Sequence, residues 1–83
     1  MAFDWDEELV AALTRLGVRP TADTPPVLVK DFVTTLYRYE LRRLREHLLA
    51  GEIPKPAYAG AVAALRPRYW MLSIPAAEWA RPR

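Results

Sequence analysis

The chain has 83 residues, no cysteine and a formal net charge of +2, and 52% of its residues are apolar. This composition excludes a disulfide framework and argues against a disordered chain. It predicts a single folded domain spanning residues 1–83. No apolar run approaches the ~20 residues that a membrane span needs, and the N-terminus is acidic where a secretion signal would be basic. The lack of cysteine favours a reducing cytoplasm.

A first helix is predicted at about residues 5–16. Asp4 is a candidate N-cap, and Glu7 three residues later completes a capping box. Gly17 is suited to end the helix, because glycine readily adopts the left-handed conformation found after a helix C-terminus. The helix has an apolar side to bury, consisting of Trp5, Leu9, Ala12, Leu13 and Leu16.

The central feature of the sequence is a long amphipathic helix predicted at about residues 26–50. It follows a proline-bearing linker and ends before Gly51. At 1.5 Å per residue it would be about 36 Å long, whereas a compact chain of this size is about 30 Å across. One end of the helix is therefore expected to extend past its own domain. Its apolar stripe consists of Val29, Val33, Leu36, Tyr37, Leu41, Leu44 and Leu48.

The C-terminal third of the chain is divided by prolines into short segments. A third helix is predicted at 56–66, ended by Pro67, and forms an antiparallel hairpin with the central helix. Residues 68–74 are expected to cover this hairpin as an extended segment. A short helix at about 75–80 and a frayed end follow. The predicted fold is all-α: three helices plus a short C-terminal one.

Charge is unevenly distributed along the chain. The first residues hold Asp4, Asp6, Glu7 and Glu8, whereas the end of the chain holds Arg81 and Arg83. Opposite charges attract, so we expect the acidic start and the basic end to meet, either within one chain or across a dimer.

Three polar residues interrupt the apolar stripe of the central helix: Glu40, Arg43 and His47. A half-buried carboxylate needs a partner. The cluster therefore predicts either a surface that binds a partner protein or an internal packing network, in which Glu40 pairs with Arg43 and forms a hydrogen bond to another helix. A metal site is not expected. Glu40 and His47 are seven residues apart, whereas helical metal ligands are usually three or four apart.

The opposite side of the central helix carries Arg38, Arg42 and Arg45. A row of arginines along a helix can bind successive phosphates of a nucleic-acid backbone. The alternative is a solvated surface with internal pairing, such as Arg42 with Glu46.

Three aromatic residues lie in the basic C-terminal region: Tyr69, Trp70 and Trp79. They have three interpretations. They can complete the core of a small domain, anchor a protein partner, or stack on nucleic-acid bases.

The sequence contains no arrangement of residues that is typical of a catalytic site. Cysteine nucleophiles are excluded by composition, the only histidine is His47, and the three glycines, at positions 17, 51 and 60, form no phosphate-binding loop. We therefore predict a protein that is not an enzyme and takes no cofactor, metal or small-molecule substrate. The expected function is that of an accessory subunit or adaptor acting through protein–protein contacts, as a homodimer or with a larger partner, away from membranes. The alternative is a small nucleic-acid-binding module using the Arg38, Arg42 and Arg45 side of the helix.

Overall fold

A computed structural model describes residues 2–83 of the chain. The fold is mostly helical, with three α-helices as predicted, but the all-α prediction is incomplete because a small two-stranded sheet joins the two ends of the chain. In chain order the elements are β1 (Phe3–Trp5), α1 (Glu7–Arg15), α2 (Pro26–Leu49), α3 (Lys55–Arg68), two 3-10 helices (Trp70–Ser73 and Ala76–Glu78) and β2 (Ala80–Pro82).

The sheet pairs β1 and β2 antiparallel, with Trp5 opposite Ala80 and Asp4 opposite Arg81. The Arg83 guanidinium donates a hydrogen bond to Asp4 at 2.8 Å. The acidic start and basic end therefore meet within one chain. The short helix predicted at about 75–80 is present only as the 3-10 helix Ala76–Glu78. The predicted frayed end is wrong, because residues 80–82 form a strand whose partner lies at the other end of the chain.

Helix α1 begins later than predicted. Its N-cap is Asp6, whose carboxylate accepts a hydrogen bond from the backbone N–H of Leu9 at 2.9 Å. The capping box proposed for Asp4 and Glu7 was wrong, because Asp4 is held in β1. The end of the helix is as predicted: Gly17 has a φ of 82°, and the N–H of Val18 donates to the carbonyl of Leu13 at 2.9 Å.

These two aspartates have different expected effects on stability. Asp6→Ala should lower the free energy of unfolding by about 1 kcal/mol, because a backbone donor at the helix start loses its acceptor. Asp4→Ala should change it by less than about 0.5 kcal/mol, because its bond with Arg83 is a solvent-exposed ion pair. Urea unfolding of the two variants measures the difference; equal losses would contradict the cap assignment.

Helix α2 matches the prediction to within one residue at its C-terminus. Pro26 is its first residue, and Gly51, with a φ of 74°, follows its end. The N–H of Glu52 donates to the carbonyl of His47 at 2.9 Å, which completes the same type of termination as in α1. None of the helices within residues 2–83 is both long and apolar enough to cross a membrane.

Helix α3 runs past the proline that was expected to stop it. Pro67 lies in its last turn, and the helix ends one residue later at Arg68. Proline has no N–H to donate to the carbonyl of Ala63 one turn earlier, but Ala63 is exposed, so water can bind that carbonyl instead. The following segment, predicted to be extended, is instead the 3-10 helix Trp70–Ser73.

The core lies at one end of the molecule. It is formed by side chains from α1, the first half of α2, the end of α3 and the C-terminal turns. Its residues include Leu9, Leu13, Val29, Val33, Leu65, Met71 and Trp79. Beyond it, the second half of α2 and the first half of α3 project as a helical hairpin. The molecule measures 50 × 19 × 17 Å, and its radius of gyration of 15.1 Å exceeds the about 12 Å expected of a compact chain. The long helix does extend past the core.

Candidate functional site

A wide concave feature lies where the projecting hairpin joins the core. It is an open groove of about 560 Å³ between α2 and α3, closed at one end by Leu16 at the end of α1. One wall comes from α2 and the other from α3. The residues that line it are Leu16, Leu36, Tyr39, Glu40, Arg43, Leu44, His47, Ala61, Ala64, Leu65, Arg68 and Tyr69. We call this feature the α2–α3 groove.

Glu40 is held at the floor of the α2–α3 groove by Tyr69. The Tyr69 hydroxyl donates a hydrogen bond to the Glu40 carboxylate, and the Tyr69 ring packs against Tyr37 with ring centroids 4.8 Å apart. Burial raises the pKa of the Tyr69 hydroxyl, and the hydrogen bond to Glu40 and the charge of Glu40 raise it further. The partner of Glu40 is therefore a tyrosine at the end of α3 and not Arg43.

Two arginines lie along the α2–α3 groove, one on each wall. Arg43 projects from α2 with its guanidinium carbon 6.0 Å from the centre of the Tyr39 ring, and Arg68 projects from the last turn of α3. Within residues 2–83 neither forms an ion pair. The neutral Tyr69 hydroxyl does not cancel the charge of the Glu40 carboxylate, but two guanidinium groups against one carboxylate still leave the groove with a net positive charge.

His47 lies at the outer end of the α2–α3 groove and interacts with Glu52 from the loop before α3. The ring nitrogen Nδ1 contacts the Glu52 carboxylate. Both side chains are largely exposed, at 40% and 58%. In the part of the chain that the structure describes, no three His, Cys, Asp or Glu side chains come close enough together to hold a metal ion.

The three aromatic residues singled out in the sequence occupy different places. Tyr69 is buried at the floor of the α2–α3 groove. Trp79 is fully buried in the core, where its indole N–H donates to the carbonyls of Met71 and Ile74. Trp70 is half-buried in a smaller depression against α1. Trp79 therefore cannot contact a partner in the folded chain, and we do not retain it in the candidate site.

Four of the six predicted partner-binding residues meet in one place: Glu40, Arg43, His47 and Tyr69. The α3 wall was not predicted. Ala61, Ala64 and Arg68 recur at spacings of three and four, a signal visible in the sequence. However, small residues at helical spacing are equally consistent with a closely packed helix pair and with an open groove, so the pattern does not distinguish the two.

Arg38, Arg42 and Arg45 are exposed on the outside of α2. The expected pairing of Arg42 with Glu46 is absent, and none of the three arginines forms an ion pair with any residue from 2 to 83.

Comparison of the chain with protein-family models, with curated proteins and with solved structures found no match in any of the three.

Proposed function

We propose that the chain is a non-catalytic accessory subunit or adaptor that binds a segment of a partner protein in the α2–α3 groove. The observation that carries this proposal is the combination of apolar lining residues, among them Leu36, Leu44 and Leu65, with two guanidinium groups that have no ion-pair partner in residues 2–83. Arginine and tyrosine are enriched among the residues that dominate protein interfaces.

The shape of the groove favours a helical segment as the occupant. Its α3 wall presents Ala61 and Ala64, whose side chains are short enough for another helix backbone to approach closely. Amphipathic helices bind open grooves of this kind by placing apolar side chains at spacings of three and four into the floor. The segment that fits has an apolar face, with acidic residues positioned to meet Arg43 and Arg68.

The chemistry of Glu40 and Tyr69 supports a structural role and not a catalytic one. A catalytic acid or base works best with a pKa near the operating pH. The pKa of Tyr69 is raised above its ordinary value, so Tyr69 keeps its proton at neutral pH and continues to bind Glu40. The pair is suited to fixing α3 against α2 and so to setting the width of the groove.

Filling the α2–α3 groove should abolish partner binding. Ala64→Trp places an indole in the groove, whereas Ala63→Trp places the same group on an exposed neighbouring position outside it. We expect a tagged wild-type chain, incubated with nuclease-treated extract of its native host, to retain a protein through a high-salt wash. Ala64→Trp should retain at least about tenfold less of that protein, and Ala63→Trp should retain as much as the wild type.

Circular dichroism of both tryptophan variants provides the folding control for this comparison. Equal recovery of the same protein by the two variants would contradict binding in the groove. Arg43→Ala should lower recovery in part, because it removes one of the two charges while leaving the apolar lining residues in place.

A nucleic-acid-binding module is the second candidate, and one observation favours it. Arg38, Arg42 and Arg45 are exposed and lack ion pairs within residues 2–83, and they span about 10 Å along α2 at 1.5 Å per residue. Binding through phosphates weakens steeply as the salt concentration rises. Recovery of nucleic acid alone, lost at high salt and lost with glutamine at all three positions, would favour this function over the adaptor.

A further inference from the structure

Helix α2 carries a second apolar stripe that does not face the core. Leu28, Phe32 and Tyr39 are 58%, 58% and 51% exposed. With Thr35 between them they recur at alternating spacings of four and three residues, and at 100° per residue they fall within a strip about 60° wide. Spacings of four and three are those by which two helices pack side by side along a seam. We call Leu28, Phe32, Thr35 and Tyr39 the outer seam.

We propose that the outer seam pairs with the outer seam of a second copy of this chain, with the two α2 helices antiparallel. A two-fold axis near Thr35 places Phe32 of each copy against Tyr39 of the other, so each exposed aromatic ring meets another ring. The same register places Leu28 against the aliphatic stem of Arg43. Such an interface is self-complementary, as a two-fold dimer requires.

The charges beside the outer seam match this register. Asp31, Arg38 and Arg42 are exposed on one flank of the seam, and none of them forms an ion pair within residues 2–83. In the antiparallel register, Asp31 of one copy falls midway between Arg38 and Arg42 of the other, about 3 Å along the axis from each. Each carboxylate would therefore lie between two guanidinium groups, and the arrangement occurs twice by symmetry.

A parallel pair lacks this complementarity. In a parallel two-fold pair, the flank that carries Asp31, Arg38 and Arg42 lies beside the opposite flank of the other helix, so Asp31 meets neither arginine. The charge pattern of α2 therefore favours the antiparallel dimer.

The test is the mass of the full chain in solution, measured by sedimentation over a range of concentrations. The wild type should have twice the mass of one chain. Phe32→Glu should raise the dissociation constant at least about tenfold, because it places a carboxylate in the apolar seam. Leu49→Glu is the matched control: Leu49 is an apolar residue of α2 that is 74% exposed and lies beyond the paired span, so this variant should remain dimeric. A monomeric wild type, or an unchanged dissociation constant for Phe32→Glu, would overturn the proposal.

Charge reversal tests the register independently. Asp31→Arg alone should weaken the dimer, and adding Arg38→Asp and Arg42→Asp to the same chain should restore it. Because the chain has no cysteine, orientation can be read from engineered disulfides. Chains with Leu28→Cys should cross-link to chains with Arg43→Cys, and cross-linking of Leu28→Cys chains to one another would overturn the antiparallel arrangement.

The dimer proposal and the adaptor proposal are separable. Tyr39 and Arg43 line the α2–α3 groove and also take part in the proposed dimer contact, so variants at these two positions do not distinguish the proposals. Phe32 and Asp31 do not line the groove, and Ala64 is not in the outer seam. Loss of the dimer in Phe32→Glu with retained partner recovery would therefore leave the groove proposal unaffected.

Discussion

Replacing Trp79 with alanine is expected to remove a large part of the stability of the chain. The side chain is fully buried among α1, α2 and the C-terminal turns, and its indole N–H satisfies two backbone carbonyls. Deleting a buried tryptophan costs about 3–5 kcal/mol. A domain of 83 residues has a total stability of about 4–12 kcal/mol at the usual values per residue. The variant should therefore be largely unfolded, or have a strongly lowered urea midpoint.

Far-UV circular dichroism in urea measures this effect. Leu49→Ala is the control, because Leu49 is 74% exposed and a surface substitution should stay within about 0.5 kcal/mol of the wild type. Trp79→Phe separates the contribution of ring packing from that of the indole hydrogen bonds, since it keeps an aromatic ring in the core but loses both hydrogen bonds. A wild-type midpoint for Trp79→Ala would contradict the placement of Trp79 in the core.

Replacing Tyr69 with phenylalanine is expected to cost about 2 kcal/mol of stability. The substitution keeps the ring that packs against Tyr37 but leaves the half-buried Glu40 carboxylate without its hydrogen-bond donor. Glu40→Gln should cost less, because an amide oxygen still accepts from the hydroxyl. The double variant, Glu40→Gln with Tyr69→Phe, gives the coupling between the two side chains, and independent, additive losses would contradict a direct bond.

The same bond predicts how stability depends on pH. The pKa of Tyr69 is raised in the folded chain, so above the ordinary tyrosine value of 10.0 the unfolded chain loses this proton while the folded chain keeps it. The unfolded state then binds fewer protons, and stability falls as the pH rises. The contribution is complete below about pH 10 and decreases above it. Tyr69→Phe should remove the decrease in the free energy of unfolding that ionisation of Tyr69 causes. Urea unfolding of both chains between pH 9 and 11 measures the difference.

Much of the helical framework could be predicted because its determinants are local. The long α2 helix follows from apolar residues at helical spacing, and its end follows from Gly51, which adopts the left-handed conformation that the termination needs. The end of α1 at Gly17 was predictable for the same reason. Pro67 misled the prediction, because its missing N–H affects only the carbonyl of the exposed Ala63, which water can bind.

The features that were missed depend on distant parts of the chain. Residues 80–82 form a strand only because residues 3–5 lie beside them. The same pairing places Asp4 in a strand, so it cannot act as the predicted N-cap of α1. In the site, periodicity placed Glu40, Arg43 and His47 on one side of α2. It could not reveal that Tyr69 is the partner of Glu40 or that Ala61, Ala64 and Arg68 form the opposite wall, because both depend on how α3 packs. Composition alone could not separate a core tryptophan from a surface anchor at Trp79.

An NMR titration tests whether a partner protein occupies the α2–α3 groove. An isotope-labelled chain would be titrated with the protein that the wild type recovers from host extract, and the backbone amide shifts followed residue by residue. The proposal predicts the largest changes at Ala61, Ala64 and Arg68 on one wall and at Arg43 on the other. Changes confined to Arg38, Arg42 and Arg45 on the outside of α2, with the groove amides unmoved, would contradict it.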